Sequence, residues 1–393
     1  MTRIAAIETM RADAGWRMFS FCKITSDDGL VGWSEYNEGF GSRGLSSVIE
    51  ALAPLLLGHD ALAWEARTAQ LHVATRQSRG GLNQQAIAAL ENALLDLAAK
   101  ARGIPVYRLF GGPVRPRIPL YWSHFATYRV GTRAPLTGRI ALATREDLAH
   151  HAAEVKEAGF RALKTNILPT RDGLLGSFSP GFGATPGAPE LNWDNTLLRQ
   201  LHEHLATIRD AVGPDMGLML DVNFHFKTEG FRRVADAVAP FNLTWLEIDT
   251  HDAEAMAFLR GTARCPLSGG ETLHQRRELR PYLEKSAFDT AIIDVVWNGL
   301  GESLKMAAMA DAYEVNVAPH NFYGHLSSMI SAHFSAVVPN FRIMEIDIDS
   351  VAWRDEFYTT LPEIVDGELV LSEAPGWGMD VNEDAVRARP PRG

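Results

Sequence analysis

From Ile118 onward the chain repeats one pattern: short apolar segments of strand character, separated by stretches with helical periodicity. The segments are PLYWS, ALKTNI, GLMLDV, TWLEI, CPLSGG, DTAIIDV, VNVAPH and FRIMEI. Near-continuous apolar runs of this length are what strands buried on both faces require. Eight strand-helix alternations predict an α/β fold whose parallel strands close into a (β/α)8 barrel, rather than an open doubly wound sheet. No Gly-x-Gly-x-x-Gly follows the early strands, which counts against dinucleotide binding. At 393 residues there is room for a barrel of roughly 250 residues and a second, smaller unit.

The first hundred or so residues supply that unit. Met18 to Ile24 alternates with β character, Asp28-Gly29 is a hairpin turn, and Leu30 to Glu35 returns as a second strand. Helical periodicity follows at Leu45, Val48, Ile49 and Leu52 until Pro54 interrupts it, and resumes from Asn83 to Arg102. There Ile87, Leu90, Leu94 and Leu97 line one face, and Gly103 and Pro105 stop the helix. Strands followed by helices read as an α+β cap. One barrel connection is abnormal: residues 169–190, after the second strand, contain nine Gly or Pro. A loop leaving the C-terminal end of a barrel strand reads as a lid or specificity element.

Composition narrows the function classes. A 46% hydrophobic share suffices for a large core. The net charge of −10, with no basic run, argues against nucleic acid and anionic membrane surfaces. No run of 18 apolar residues is present to span a membrane, and the N-terminus lacks a signal-peptide apolar core. Cys22 and Cys265 are distant in sequence with no ligand spacing, as expected of two buried thiols in a reducing cytoplasm.

The chemistry sits at the strand ends. Asp221 closes MLDVN, Glu247 closes WLEID, Glu271 follows SGG, Asp294 closes IIDVV, His320 closes VAPHN and Glu345 closes IMEID. Their separations are 26, 24, 23, 26 and 25 residues, each about one βα unit, so all six project toward one barrel mouth. So many converging carboxylates require a cation, since like charges resist joint ionisation. Asp221, Glu247 and Glu271, from three consecutive strands, offer only oxygen ligands; that suits Mg²⁺, with Mn²⁺ as a substitute, and disfavours zinc. Asp294 and His320 lie on adjacent strands, where a carboxylate fixes the imidazole tautomer and makes the ring a usable base. Lys164 ends strand two within the same mouth and needs an anionic partner: these acids or a substrate carboxylate.

With those residues in place the chain resembles the mandelate racemase subgroup of the enolase superfamily over nearly its whole length. The resemblance rests on the GWSEY strand, the helix LNQQAIAALENALLDLAAKARGIPVYRLFGG, KTN at Lys164 to Asn166, DVN at Asp221 to Asn223, LE at Glu247, GGET around Glu271, the Asp294/His320 pair and ME at Glu345. It implies a capping domain over residues 1–115, a catalytic barrel over 116–348, and a segment 349–393 that returns to the cap. It also implies Mg²⁺ on Asp221, Glu247 and Glu271, with the metal and Lys164 holding a substrate carboxylate and Glu345 donating a hydrogen bond to it. His320, oriented by Asp294, would be the general base. Ser123 resembles a first-strand serine that touches the carboxylate in some members. Tyr36, Glu38 and Phe40 fall in the loop that closes over the far part of the substrate. Asn166, Asn223 and His225 are expected along the substrate, the role of His225 being open.

The departure from the pattern directs the reaction. Many relatives carry Lys-x-Lys at strand two, the second lysine being the base on the opposite face; here that position is Asn166, which cannot take a proton. One base suffices for β-elimination, because the imidazolium it forms can protonate the departing hydroxide. The expected activity is dehydration of a sugar acid to a 2-keto-3-deoxy acid, a lyase reaction. The alternative is an isomerase (an epimerase, racemase or lactone cycloisomerase) using Lys164 and His320 as two bases. A sugar-acid binding protein without catalysis is the reading of another class. The acidic character and apolar surface segments are consistent with a homo-oligomer.

Overall fold

The structure is a computed structural model describing residues 2–182 and 193–391. The chain opens as an antiparallel meander of β1 (Ile4–Ala14), β2 (Arg17–Ser26) and β3 (Val31–Tyr36). The turn between β2 and β3 passes through Gly29 at φ 87°, a left-handed conformation that a residue without Cβ enters freely. Helix α1 (Leu45–Leu52) ends where Pro54 enters a 3-10 turn, and α2 (Trp64–Ala74) and α3 (Gly81–Lys100) complete the cap. All four expected apolar positions of α3 are buried. The helix lies directly on β3 at Gly32, where an added Cβ would stand 2.1 Å from the Ala93 carbonyl oxygen.

The barrel strands then appear in the expected order. β4 (Arg117–Phe125), α4 (Arg145–Glu157) and β5 (Ala162–Thr165) come first. A small antiparallel ribbon follows, β6 (Thr170–Arg171) with β7 (Leu174–Leu175), and then α5 (Asn195–Val212). Next come β8 (Gly217–Asp221), α6 (Thr228–Val238), β9 (Trp245–Glu247), α7 (Ala253–Thr262), β10 (Leu267–Gly269) and α8 (Gln275–Glu284). The series ends with β11 (Thr290–Asp294), α9 (Val295–Asn298), α10 (Leu300–Asp311), β12 (Asn316–His320), α11 (His325–Val337) and β13 (Met344–Ile346). Parallel pairing runs β12-β11-β10-β9-β8-β5-β4, with β13 on the free side of β4. The ring is drawn shut between β12 and β13 by Arg342 N donating to the Val317 carbonyl (2.8 Å) and Asn321 Nδ2 to the Glu345 carbonyl (3.1 Å).

The eighth strand has no barrel helix after it. Instead a 3-10 turn at Arg354–Phe357 leads to the hairpin β14 (Ile364–Val365) and β15 (Glu368–Val370), and β15 pairs antiparallel with the start of β4. The chain then runs back along the cap to α12 (Glu383–Ala388). There the buried Asp96 carboxylate accepts from the backbone N–H groups of Trp33 (2.8 Å) and Trp377 (2.9 Å). One side chain thus ties a cap strand and the C-terminal segment to α3.

Two further buried acids fix the cap on the barrel. Glu35 of β3 accepts from Gly324 N (2.7 Å) and Ser327 N (3.1 Å) at the start of α11, where a helix presents free N–H groups to an anion. Glu91 of α3 does the same for Gly301 N of α10 (2.7 Å). Residues 321–324, which follow His320, are therefore positioned by the cap. Both cysteines are buried and unpaired, and burial pushes the Cys22 thiol up to about 12. Among the described residues no helix is long and apolar enough to cross a membrane.

Candidate active site

Inside the barrel Tyr121, Ala162, Met219, Trp245, Ile292 and Ala318 pack together as one layer, with Ile343 against it. Side chains two residues apart on a strand share a face, so each of these is followed by an inward residue one step nearer the C-terminal mouth. Those residues are Ser123, Lys164, Asp221, Glu247, Asp294, His320 and Glu345. An apolar plug thus carries a ring of ionisable groups, all of them buried.

At the centre Lys164, 2% exposed, lies 3.0 Å from both oxygens of Glu247, 3.1 Å from Glu345 and 3.6 Å from Asp221. Burial works against its charge, but Glu247, Glu345 and Asp221 outweigh it and hold the ammonium well above its usual range. Glu247 is pushed up by burial and by the charges of Asp221 and Glu345, against Lys164; Asp249 is pushed up by burial, Asp221 and Glu247, and Glu271 by burial, Asp249, Asp221 and Glu247, against His320. Asp249 is buried and, among the described residues, no N–H or hydroxyl group donates to either of its oxygens. Among the described residues no three His, Cys, Asp or Glu side chains are gathered as a ready metal-binding group. Glu247 is turned onto Lys164, and Glu271 toward His320 at 3.3 Å, so the expected ligands are each answered by a protein cation. The donor chemistry nevertheless suits a hard divalent ion: four buried carboxylates at one barrel mouth that offer oxygen only and raise one another's proton affinity.

His320 stands beside this cluster. Its Nδ1 lies 2.6 Å from Asp294, whose other oxygen accepts from Trp297 N (2.8 Å), while the Tyr323 hydroxyl also donates to Asp294. Burial disfavours the imidazolium, yet Glu271 above all, with Asp294 and Glu345, pushes the ring up to about 10. A second pair of the same construction was not foreseen. His124, at the end of β4, has Nδ1 2.7 Å from Asp347, just beyond β13, and its ring stacks on Tyr128 at 4.7 Å. His124, His320, Asp221, Glu271 and Glu345 line one cavity.

A signal for the missed groups exists in the sequence. Glu247-Ile248-Asp249 and Glu345-Ile346-Asp347 are the same triplet, and the second acid of each shares the face of the first. His124 directly follows Ser123, at a residue with φ 47°, where strand alternation no longer dictates direction.

The remaining expected site residues divide. Asn166, Asn223 and His225 line the cavity. Asn166 donates to the Asp221 carbonyl (3.3 Å) and accepts from Thr127 Oγ1 (2.9 Å). Burial lowers His225 to about 4, against a weak pull from Asp221, so it stands as a neutral ring beside Phe178 and Phe182. Two expectations need correction. Tyr36 does not reach the substrate space: its side chain is buried in the cap core and its hydroxyl meets Ser46 Oγ at 2.6 Å. Tyr36 belongs to a β-strand whose alternation turns it inward; Phe40, in the following loop at φ 36°, lines the cavity instead. Glu345, expected as a donor, is held as an acceptor. Ser123 Oγ and Asn321 N (2.7 Å) donate to it, and although burial works the other way, Lys164, His320 and His124 keep it well below the usual carboxylate range. Ser123 is accordingly a partner of Glu345. Of the 169–190 loop, Ser177, Phe178, Ser179 and Phe182 line the cavity, and residues 183–190 lie outside the described residues.

The mandelate racemase/muconate lactonizing enzyme N-terminal domain matches residues 3–111, and the enolase C-terminal domain-like family matches residues 147–385. The chain belongs to the mandelate racemase subgroup of the enolase superfamily. Its fold is the superfamily's capping domain and (β/α)8 barrel, and it is an enzyme. It is similar to a structure from Burkholderia xenovorans provisionally named L-alanine-DL-glutamate epimerase and bound to magnesium and fumarate: 45% identity, 99% of this chain and 96% of that one, TM-score 0.96. It is 29% identical to a D-galactonate dehydratase family member of Streptomyces bingchenggensis, over 99% of this chain and 93% of that one. It is also 28% identical to the D-galactarolactone cycloisomerase of Agrobacterium fabrum, over 96% of this chain and 92% of that one.

Proposed function

We propose that the chain removes the proton beside the carboxylate of a sugar acid in a Mg²⁺-dependent reaction and dehydrates it to a 2-keto-3-deoxy acid. The observation that carries the direction is the environment of Lys164. Glu345, which is not one of the expected metal ligands, lies 3.1 Å from its ammonium and would keep it a fixed cation rather than a base even with Asp221 and Glu247 on the metal. With Asn166 at the other strand-two position, the α-proton falls to His320.

Asp221, Glu247 and Glu271 would hold the cation, with the undonated Asp249 beside them. When bound, Mg²⁺ supplies positive charge where electron density collects on the substrate carboxylate. Drawing Glu247 and Asp221 to the cation would free Lys164 N–H bonds for that same carboxylate. Glu271 is the largest single cause of the extra basicity of His320, so engaging Glu271 elsewhere would bring the imidazole down toward the range of a working base. Asp294 then holds the tautomer with Nδ1 protonated, leaving Nε2 to take the α-proton. The same imidazolium returns that proton to the β-hydroxyl, which leaves as water; the resulting enol becomes the ketone. Support comes from the relatives named dehydratases of galactonate, xylonate, gluconate and mannonate.

A second reading keeps a specific observation behind it. The His124–Asp347 pair lines the same cavity, so a second proton carrier could serve an epimerase or lactone cycloisomerase. Purified enzyme with Mg²⁺ and a sugar-acid library separates the two. A semicarbazide-reactive product supports dehydration; α-deuteration in D₂O with inversion and no new ketone supports isomerisation, and chelation with EDTA should silence either. Assembly as a homo-oligomer and residence in the cytoplasm belong to this proposal, the latter supported by two buried thiols without a disulfide.

A further inference from the structure

Two arginines, Arg17 and Arg133, lie against the aromatic wall formed by Trp16 and Tyr128, whose rings are 4.8 Å apart, and a third, Arg129, follows Tyr128 in sequence. Arg129 is paired with the buried Asp349 at 2.8 Å. Arg17 faces Asp347 at 3.4 Å and donates to Tyr128 and to the Phe322 carbonyl. Arg133 differs. It is half-buried, its guanidinium lies 5.8 Å from the Tyr128 ring centroid, and among the described residues it has no carboxylate partner. It is also the one arginine or lysine among the described residues that line the active-site cavity, whose acids are Asp221, Glu271 and Glu345.

A guanidinium stripped of part of its water and given only a ring face lacks the anion that its planar fork is built to hold. Burial pulls Arg133 below its ordinary value, and the charge of Arg17 adds to that against an opposite pull from Tyr128. None of the cavity's own acids answers it. Beyond Phe40 and Phe182 a neighbouring cavity carries Arg11, Arg17 and Arg43 together with Asp13 and Glu38, and there Arg11 faces Glu38 at 3.6 Å and Arg17 faces Asp347 at 3.4 Å, so those two arginines, unlike Arg133, already have a carboxylate.

We infer that Arg133 binds a second carboxylate on the substrate, which makes the substrate class a dicarboxylic sugar acid rather than a monocarboxylic one. The inference rests on the reading that the first carboxylate lies among the strand-end acids and Lys164. The stack of Trp16, Tyr128 and His124 would keep Arg133 at a fixed distance from that end, so the cavity would also select chain length. The relative bound to fumarate, itself a dicarboxylate, is in keeping with this.

The test uses the full chain with Mg²⁺ and two readouts. In calorimetry, succinate, glutarate and adipate are compared with butyrate, pentanoate and hexanoate. One diacid should bind roughly 10- to 100-fold more tightly than its monoacid of equal length, the usual range for a charged hydrogen-bonded contact. Arg133→Gln should erase that advantage while leaving monoacid affinity unchanged, and Arg133→Lys should restore part of it. In D₂O, five- and six-carbon aldarates should exchange the α-proton with a higher kcat/KM than the matching aldonates, and Arg133→Gln should raise KM for the aldarate alone. Equal binding of diacids and monoacids, or a diacid advantage that survives Arg133→Gln, overturns the inference. Absence of exchange with every acid, alongside the expected calorimetry, would instead count against the proposed reaction and leave the Arg133 assignment standing.

Discussion

His320 and His124 are built alike and placed differently. Each sits at the C-terminal end of a barrel strand, and each gives Nδ1 to an aspartate of the neighbouring strand, at 2.6 Å and 2.7 Å. His320 is 5% exposed, faces Glu271 and packs edge-on to Trp297 at 5.7 Å. The His124 side chain keeps 19% exposure and lies across Phe322, in the aromatic stack with Tyr128. The lesson is that a His–Asp pair is not a function by itself. In the proposed reaction, proximity to the metal-type acids would make His320 the base, while His124, which lines the same cavity beside Tyr128, would meet the substrate's other groups.

The sharpest way to break this contrast is to remove each imidazole in turn. His320→Asn should lower α-proton exchange in D₂O by roughly 10²-fold or more, the loss typical of a general base. His124→Gln should reduce kcat/KM by only about tenfold, or about 1.4 kcal/mol. Equal losses would erase the distinction, and a larger loss at His124 would reverse it and favour the two-carrier isomerase.

A smaller effect concerns proton affinity. His320 is raised from an ordinary value near 6.5 to about 10 in the cation-free fold. A group raised on folding lends stability that is complete below about pH 6.5 and is lost as pH climbs through about 10. Without Mg²⁺ the Tm should therefore fall between pH 7 and 10, and His320→Asn should flatten that slope. NMR titration should also show Mg²⁺ lowering the His320 value, because Glu271 is its largest source of attraction. No change on adding Mg²⁺ would mean that Glu271 is not a ligand.

The least effect is expected at Tyr36. Tyr36→Phe removes one hydrogen bond to Ser46 inside the cap, worth about 1 kcal/mol of stability, and should leave KM unchanged. A shifted KM would return Tyr36 to the substrate side. Phe40→Ala, one turn of loop away and on the cavity wall, should raise KM where Tyr36→Phe does not.

Much of this molecule could be read before folding. Eight apolar segments spaced by helices specify the barrel, because strands buried on both faces must be apolar and parallel strands need long crossovers. The spacing of Asp221, Glu247, Glu271, Asp294, His320 and Glu345 specifies one shared mouth, because equal repeats put equal positions at equal heights. Asp249 and Asp347 lay within the same logic, two residues beyond acids already singled out. What only the tertiary structure decided is who answers whom. That Glu345 is an acceptor depends on Ser123, Asn321 and Lys164 meeting it from three separate strands or strand ends. That Tyr36 turns into the cap and Phe40 into the cavity depends on where β3 stops. That Arg133 lacks an acid among the described residues while Arg17 and Arg129 have one depends on contacts spanning more than two hundred residues of chain. Local pattern fixes the direction and height of a side chain; its charge state and partner are set by groups distant in sequence, which only the closed barrel and its cap bring within a few ångströms.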